Sequence, residues 1–327
     1  VYVPTSNKEQ FVEIEKIILD EKSQMIENSA ILKLIKSSKS NHIASGMKRL
    51  GAWLNERRRI ILNPNESMAD AFIPQPKGIL LAGIPGTGKS LAAKTTASEF
   101  GNLPLLQLDM GNIMDKYQGE SEHKMEEALK SSEAMSPCVL WIDEIEKGIA
   151  GASSSSGNSE SMKRIFGKLL TWMQEKEDRG ICCFVFATAN SIDSIPPELF
   201  RSGRFDEKFY TFFPSSKECV EIFQGILSSQ DKAYRKYCEK KGAPVRPLFD
   251  GNILQEKFWM RILDSAYVLP NRMTANSTKV SKENKFMTGS DIEAIVERAK
   301  LILYNKVGAL SKSSSCVYQT EDFRQAL

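Results

Sequence analysis

A glycine-rich segment of the 327-residue chain has the residue types and spacing of a phosphate-binding loop. It reads Gly83-Ile84-Pro85-Gly86-Thr87-Gly88-Lys89-Ser90, fits the pattern G-x-x-x-x-G-K-[ST], and follows an apolar run at residues 78–82. Glycines let backbone N–H groups point at phosphates, the lysine reaches the β- and γ-phosphates, and the serine hydroxyl can ligate Mg²⁺. The segment predicts nucleoside triphosphate binding through Pro85, Gly86, Thr87, Gly88, Lys89, Ser90 and Leu91. A chance match is the alternative for so short a pattern.

Two adjacent carboxylates end another apolar run further along the chain. Residues 139–142 are apolar, and Asp143 and Glu144 follow directly. Asp143 could hold Mg²⁺ together with Ser90, and Glu144 could act as general base on the attacking water. Alone, the pair could equally be the exposed start of a loop. In combination with a phosphate-binding loop, it favours hydrolysis.

Polar residues after a third apolar run extend the candidate site. Asn190 could orient the attacking water, although Asn is also common in the turns that end strands. Arg201 and Arg204 flank a glycine turn, and arginine is suited to stabilising charge on a transferring phosphoryl group. One arginine could instead pair with Asp206 or Glu198. The predicted catalytic set is Glu144, Asn190, Arg201 and Arg204.

The elements that must position these residues alternate along the chain. Apolar runs predict strands at residues 78–82, 105–108, 138–142, 181–188 and 208–213, and helical patterns predict helices at residues 89–100, 121–135 and 160–177. Strands that are apolar throughout and alternate with helices are typical of a parallel sheet covered on both faces. We therefore expect an α/β fold of the P-loop NTPase type.

Three segments are predicted along the chain. Residues 1–62 form a helical N-terminal segment, because apolar residues including Ile31, Leu34 and Ile35 recur at helical spacing. Residues 63–214 form the large α/β nucleotide-binding domain. Residues 215–327 form a smaller helical lid domain, with helices at residues 217–227 and 289–306 and an insertion around residues 228–285.

Composition gives no support to several classes of protein. Lys and Arg number 44 against 41 Asp and Glu, and the net charge of +3 gives no strong nucleic-acid signal. The six cysteines show no C-x-x-C spacing, which indicates a reducing compartment and no structural zinc. No apolar run approaches the roughly 20 residues that cross a bilayer, and no signal peptide is visible. We expect a soluble cytoplasmic protein with no membrane partner. The chain begins with Val1, so a missing N-terminal region must be kept in mind.

The order of these motifs resembles the AAA family (ATPases associated with diverse cellular activities). The glycine-rich loop matches its Walker A motif, residues 139–144 match Walker B, Asn190 matches sensor 1, and Arg201 and Arg204 match the arginine-finger region. The resemblance covers about residues 47–303. Within the family, the chain looks most like the uncharacterised AAA ATPases of plastid and cyanobacterial genomes and their bacterial relatives. This narrower resemblance depends on residues 76–81, 137–147 and 170–173. It implies an Mg²⁺-dependent ATPase that forms a homo-oligomeric ring, expected to be a hexamer. An organellar member would work in the plastid stroma.

The resemblance also adds a substrate loop and part of an adenine site. The pore loop that grips polypeptide in threading members is matched by Lys116, Tyr117, Gln118 and Gly119. Alternatively, Tyr117 is a loop aromatic ahead of a helix whose N-cap is Ser121. Gly289 and Ser290 match the start of the lid helix near the adenine. The family usually carries a pair of glycines before its first helix, also near the adenine, and Gly46 matches one of them. The arginine of the second sensor is absent from its usual position.

Two functions follow from the motifs and the resemblance. The first is a ring that hydrolyses ATP to remodel or thread an unidentified protein partner. The alternative is an ATP-dependent assembly switch or scaffold without threading, which Gln118 favours because a hydrophobic residue is commoner beside the pore aromatic. A nucleic-acid motor is a third reading, and the near-neutral charge makes it the weakest.

Overall fold

The computed structural model describes about three fifths of the sequence, in several stretches. They are residues 31–35, 47–63, 73–113, 120–147, 158–191, 195, 199, 201, 203–242, 259, 287–309 and 323. The chain divides into two compact units, of which the first comprises residues 1–41, 49–83 and 89–210, and the second residues 42–48, 84–88 and 211–327. The glycine-rich segment is therefore shared, because residues 84–88 belong to the second unit while Gly83 and Lys89 belong to the first.

The described strands form one six-stranded, mostly parallel sheet. They are β1 (Leu32–Ile35), β2 (Gly78–Gly83), β3 (Leu105–Asp109), β4 (Cys138–Asp143), β5 (Cys183–Ala189) and β6 (Glu207–Thr211), in the order β1-β3-β4-β5-β2-β6. The accompanying helices are α1 (Lys48–Leu62), α2 (Lys89–Glu99), α3 (Met110–Ile113), α4 (Glu120–Ala134) and α5 (Asn158–Glu175). The predicted α/β fold with a parallel sheet is confirmed.

The register of the parallel strands sets which loops share an edge. Asp109 on β3 lies opposite Asp143 on β4, and Ala82 on β2 lies opposite Ala189 on β5. On β4 and β5, Ile142 pairs with Ala187. The carboxyl ends of four strands therefore meet along one edge of the sheet.

Apolar side chains cover both faces of the sheet. Leu80, Leu106, Leu140 and Val185 are buried in one large cluster with α4 and α5. Phe184, next to Val185, points to the opposite face, where its ring contacts Phe100 edge-on at 5.1 Å between centroids and Trp53 at 6.2 Å. Because neighbouring residues of a strand face opposite sides, continuous apolar strands require a cover on each face, as the sequence predicted.

A buried lysine ties the amino-terminal ends of two central strands together. Lys176 follows α5, is 3% exposed, and donates from Nζ to the carbonyl oxygens of Lys77, at 2.7 Å, and of Cys183. Burial lowers the pKa of Lys176, because removal from water disfavours the ammonium. The two carbonyls precede β2 and begin β5, so this side chain links the strands that carry the glycine-rich loop and Asn190.

The helical prediction was wrong at residues 32–35. These residues form β1, which pairs antiparallel with β3 so that Leu32 lies opposite Leu108 and Ile35 opposite Leu105. Pairing satisfies backbone groups along the edge of β3 and buries Leu32, and a short apolar run does not distinguish a strand from a helix. Residues 1–30 and 36–46 of the predicted N-terminal helical segment lie outside the described residues.

Two long helices form most of the described part of the second unit. They are α6 (Ser216–Lys241) and α7 (Gly289–Ala309), and they pack on each other over a small core in which Phe223 stacks on Trp259 at 3.9 Å between ring centroids. A capping box of Ser215 and Glu218 begins α6, and left-handed Gly242 ends it. The helix continues to Lys241, past residue 227 where the sequence pattern ended it. The pattern ended early because the last turns are mostly charged and exposed. Among the described helices, none is long and apolar enough to cross a membrane.

We predict that Gly78→Ala strongly destabilises the first unit. Gly78 begins β2 with φ +155°, and a Cβ there would lie 2.2 Å from the carbonyl oxygen of Val185 on β5. Overpacking and strain of this kind reduce the free energy of unfolding by about 3 kcal/mol. Urea denaturation followed by circular dichroism measures the change.

Gly167→Ala is the matched control for this substitution. Gly167 lies inside α5, where an added Cβ would meet nothing within 4 Å. The same change should raise the free energy of unfolding by about 0.5–1 kcal/mol, because alanine favours helix more than glycine does. Equal unfolding midpoints for Gly78→Ala and the parent protein would contradict the close approach of β2 to β5.

Candidate nucleotide-binding and catalytic site

The first unit brings Asp143, Glu144 and Asn190 together at the carboxyl edge of the sheet. The Asn190 amide Nδ2 donates to Glu144 Oε1 at 3.0 Å. Asp143 ends β4, Glu144 follows it, and Asn190 follows the neighbouring strand β5. The parallel pairing of these two strands explains why residues so far apart in sequence meet here.

A buried threonine, which the sequence analysis did not single out, holds the two carboxylate residues in place. Thr188 lies near the end of β5, is 1% exposed, and donates from Oγ1 to Asp143 Oδ1 at 2.6 Å. The same hydroxyl accepts the backbone N–H of Glu144 at 3.2 Å. The one signal in the sequence was a polar residue inside an otherwise apolar strand. Thr188 therefore orients Asp143 and the start of the turn that follows it.

Glu144 has an uncommon backbone conformation. Its φ is +48°, in the left-handed region that non-glycine residues seldom occupy. The turn is held by the Lys147 N–H, which donates to the Glu144 carbonyl at 2.8 Å, and by the Ile145 N–H, which donates to the Thr188 carbonyl at 2.9 Å. The Lys147 ammonium also pairs with Glu144 Oε2, and this hydrogen bond and charge raise the pKa of Lys147. Asn190 and Lys147 thus contact different oxygens of the Glu144 carboxylate.

Lys89, the lysine of the glycine-rich segment, is a buried cation close to several acidic side chains. It begins α2, is 7% exposed, and donates from Nζ to the Gly83 carbonyl at 2.8 Å. Burial lowers its pKa, while the charges of Glu146, Asp143 and Glu144 oppose that shift. A phosphate would stabilise the ammonium further. Ser90 and Leu91, in the same helical turn, are exposed, and the first turn of a helix offers free N–H groups to anions.

In the second unit, the rest of the glycine-rich loop contacts the start of α7. The Gly86 carbonyl accepts the Ser290 N–H at 3.1 Å, and a Cβ on Gly86 would lie 2.9 Å from the Thr288 hydroxyl. Thr288 caps α7, and its N–H and hydroxyl both donate to the Asp291 carboxylate at 2.8 Å. Gly289 is equally constrained, since a Cβ there would lie 3.1 Å from the Gly86 carbonyl. The structure thus places predicted residues Gly86, Gly289 and Ser290 side by side.

A threonine pair fixes the other side of this loop. The Thr87 hydroxyl lies 2.8 Å from the Thr211 hydroxyl and also donates to the Ile84 carbonyl at 2.8 Å. The Ile84 N–H reaches the Thr211 carbonyl at 3.4 Å. Gly86 and Gly88 have φ of +81° and +88°, which glycine adopts without strain. Pro85 is exposed at the tip.

Of the predicted arginines, Arg201 is exposed and Arg204 is half-buried. The turn between them is fixed at Gly203, whose carbonyl accepts from Lys77 Nζ at 3.4 Å. The Asp206 carboxylate, one alternative partner, accepts the Gly78 N–H at 2.9 Å. Glu198, the other alternative, lies outside the described residues, as do predicted site residues Gly46, Lys116, Tyr117, Gln118 and Gly119.

The residues present fit a magnesium ion that is bound jointly with phosphate. Among the described residues, no cluster of three or more His, Cys, Asp or Glu side chains could hold a metal alone. Mg²⁺ commonly uses one or two protein oxygens together with phosphate oxygens and water. Asp143, held by Thr188, and the exposed hydroxyl of Ser90 supply oxygens of that kind.

A glycine-rich loop between a parallel strand and a helix, with an acidic pair at the end of another strand, defines a P-loop nucleoside triphosphatase domain. Residues 79–212 match the model of the ATPase family associated with various cellular activities (AAA). The chain belongs to this AAA family of ATPases, as the motifs predicted.

Curated relatives match beyond the AAA domain. The "Uncharacterized AAA domain-containing protein ycf46" of Pyropia yezoensis is 44% identical over 222 residues, 68% of this chain and 44% of that protein. The protein of the same name from Guillardia theta is 37% identical over 298 residues, 91% of this chain and 54% of that protein. The chain thus spans about half the length of these relatives. The "ATP-dependent zinc metalloprotease FtsH" of Mesomycoplasma conjunctivae is 33% identical over 266 residues, 81% of this chain and 33% of that protein.

We predict that Thr188→Val lowers the affinity of the site for Mg²⁺, the rate of hydrolysis at saturating Mg²⁺, or both. Valine has nearly the same shape and suits a strand, but it removes the hydroxyl that donates to Asp143 and accepts from the Glu144 N–H. Loss of a partner that orients a metal ligand typically costs about 10–100-fold in metal affinity or activity. Phosphate release measured across a Mg²⁺ titration should show a higher half-saturating concentration, a lower plateau, or both.

Thr188→Ser is the control, because it keeps the hydroxyl and removes only a methyl group. It should retain a Mg²⁺ dependence close to that of the parent protein. If the valine variant titrates like the parent, the Thr188 hydroxyl has no part in placing Asp143.

Proposed function

We propose that this chain binds ATP with Mg²⁺ and hydrolyses it at the site described above. The observation that carries the proposal is the 3.0 Å hydrogen bond from Asn190 to Glu144, formed beside an Asp143 that Thr188 holds in place. The amide that would polarise the water, the proposed general base and the proposed metal ligand are therefore all at the ends of strands β4 and β5. Attack of water on a phosphoryl group requires these three kinds of group.

The glycine-rich segment would bind the phosphates. Lys89 is desolvated and close to carboxylates, so it can exchange its bond to the Gly83 carbonyl for bonds to the β- and γ-phosphates. Ser90 and Asp143 would hold Mg²⁺, which when bound neutralises charge on the phosphate oxygens. Pro85, Gly86, Thr87, Gly88 and Leu91 complete the proposed phosphate contacts. We assign Gly46, Gly289 and Ser290 to the nucleoside end of the ligand.

Glu144 would accept the proton of the attacking water. Asn190 holds Oε1 of the carboxylate, which leaves Oε2 as the oxygen for proton transfer once Lys147 withdraws. The Lys147 ammonium is largely exposed to water, so its pairing with Glu144 is screened and readily broken. The left-handed backbone at Glu144 turns the residue away from the path of β4 and toward the Asn190 amide.

We infer further that the working form is a homo-oligomeric ring, with a hexamer as the expected size. Arg201 is exposed, and an exposed guanidinium is available to a neighbouring copy of the chain. Arg201, with Arg204 beside it, would stabilise charge on the phosphoryl group bound in the adjacent subunit. AAA proteins typically oligomerise, which supports this arrangement.

The function we favour for the ring is remodelling or threading of a protein partner. The FtsH relative is named as an ATP-dependent metalloprotease, which acts on proteins, and this supports a protein substrate here. Tyr117, flanked by Lys116, Gln118 and Gly119, is the proposed contact with that substrate. The second candidate is an ATP-dependent assembly switch or scaffold without threading, and Gln118 favours it.

We predict that two inactive variants restore activity when they are mixed. Glu144→Gln removes the base, and Arg201→Ala removes the proposed finger, so each alone should bind ATP but hydrolyse it at least about 100-fold more slowly. In rings of randomly mixed subunits, about a quarter of the interfaces pair an intact Glu144 with an intact Arg201. Phosphate release should therefore recover to a clear fraction of the parent rate.

The surface substitution Glu127→Gln on α4 controls for loss of a carboxylate in general, since Glu127 is exposed. It should leave hydrolysis unchanged. Mixed rings that stay as inactive as the separate variants, while both variants still assemble and bind ATP, would refute action of Arg201 across an interface.

We predict that Tyr117→Ala separates the two candidate functions. A ring that threads its partner should keep its basal ATP hydrolysis but fail to unfold or extract the protein that co-purifies with the Glu144→Gln form. Tyr117→Phe keeps the aromatic ring and should retain the activity. If the alanine variant acts on the partner as well as the parent does, Tyr117 does not grip a substrate, and the assembly switch without threading is favoured.

A further inference from the structure

Glu146 is a buried carboxylate beside the proposed catalytic residues. It makes a hydrogen bond that none of the recognised motifs requires. It lies two residues after Glu144 and is 8% exposed. Its Oε1 accepts the backbone N–H of Asn190 at 2.9 Å. The bond joins the turn after β4 directly to the first residue after β5.

The second oxygen of Glu146 makes the residue unusual. Oε2 is buried, and within the described part of the chain it has no hydrogen-bond partner. A buried carboxylate with an unsatisfied oxygen is costly, because the desolvation of its charge is only partly offset. Folding alone would favour a residue without this unpaired polar atom here. The acidic side chain thus calls for an explanation in terms of the site.

The position of Asn190 explains what Glu146 contributes. The sheet register fixes the backbone through Ala189, which pairs with Ala82 on β2. Asn190 is one residue beyond that ladder, and its N–H is held by Glu146. Its side chain must nevertheless reach Glu144 Oε1 at 3.0 Å. The 2.9 Å hydrogen bond from this N–H to Glu146 Oε1 therefore fixes the peptide that carries the Asn190 side chain.

We infer that Glu146 is a positioning residue that anchors the Asn190 backbone, so that the Asn190 amide meets the Glu144 carboxylate. This inference rests on the proposed hydrolysis of ATP by Glu144. Glu146 acts through the hydrogen bond that it accepts from the Asn190 N–H. It does not act through the electrostatic interaction of its carboxylate with the Lys89 ammonium.

Two conservative substitutions separate these two modes of action. Glu146→Gln keeps the side-chain length and an acceptor oxygen but removes the charge. Glu146→Asp keeps the charge but is one methylene shorter, which draws the acceptor away from the Asn190 N–H. Positioning by the hydrogen bond predicts a kcat for the Gln variant within about threefold of the parent, and a kcat for the Asp variant about 10–100-fold lower. The KM for ATP should change little in either.

The opposite pattern would overturn the inference. If Glu146→Gln loses as much activity as Glu146→Asp, or more, the charge is what matters. Thermal unfolding and ATP affinity, measured on the same samples, show whether each variant is folded. Thermal unfolding also measures any stability lost through the one buried methylene that Glu146→Asp removes.

A double-mutant cycle with Asn190→Ala tests the route of action. Once the Asn190 amide is gone, Glu146→Asp should lower kcat by less than about twofold further, because the group that it positions is absent. Losses that multiply would show that Glu146 acts independently of Asn190. Full hydrolysis by Glu144→Gln would instead refute the proposed base itself, so the two failures are distinguishable.

Discussion

Parallel pairing of β4 with β5 is the constraint on which the candidate site depends. Asp143 and Glu144 leave one strand, and Thr188 and Asn190 belong to the end of the other. With Ile142 opposite Ala187, the next residues in each strand are Asp143 and Thr188, which form the 2.6 Å hydrogen bond. A shift of one residue would turn Thr188 to the opposite face of the sheet. The buried strands on both sides, and the ammonium of Lys176 at the other end of β5, hold this register.

Much of this arrangement was predictable from the sequence. The glycine-rich segment, the acidic pair and Asn190 each follow a continuous apolar run, and parallel strands bring such strand ends to one edge. The β1 strand was not predictable, because Leu32 and Ile35 form a strand only where β3 offers an open edge. The length of α6 was underestimated because its final turns lack an apolar face.

Supporting residues escaped sequence analysis for a different reason. Thr188, Glu146 and Lys147 make specific contacts that depend on the register of two strands and on the left-handed turn at Glu144. No local pattern encodes those contacts. The proposed roles of Arg201 and Tyr117 belong to a third category. They would involve a neighbouring subunit or a substrate, which the structure of one chain does not contain.

The left-handed backbone at Glu144 sets the stability of the fold against the proposed catalytic role of the carboxylate. Glycine, or to a lesser degree asparagine, would occupy that conformation with less strain, a difference of about 1 kcal/mol or more. Either change would also remove the carboxylate. Glutamate at this position therefore stabilises the fold less than glycine would, and what it supplies that glycine cannot is the carboxylate.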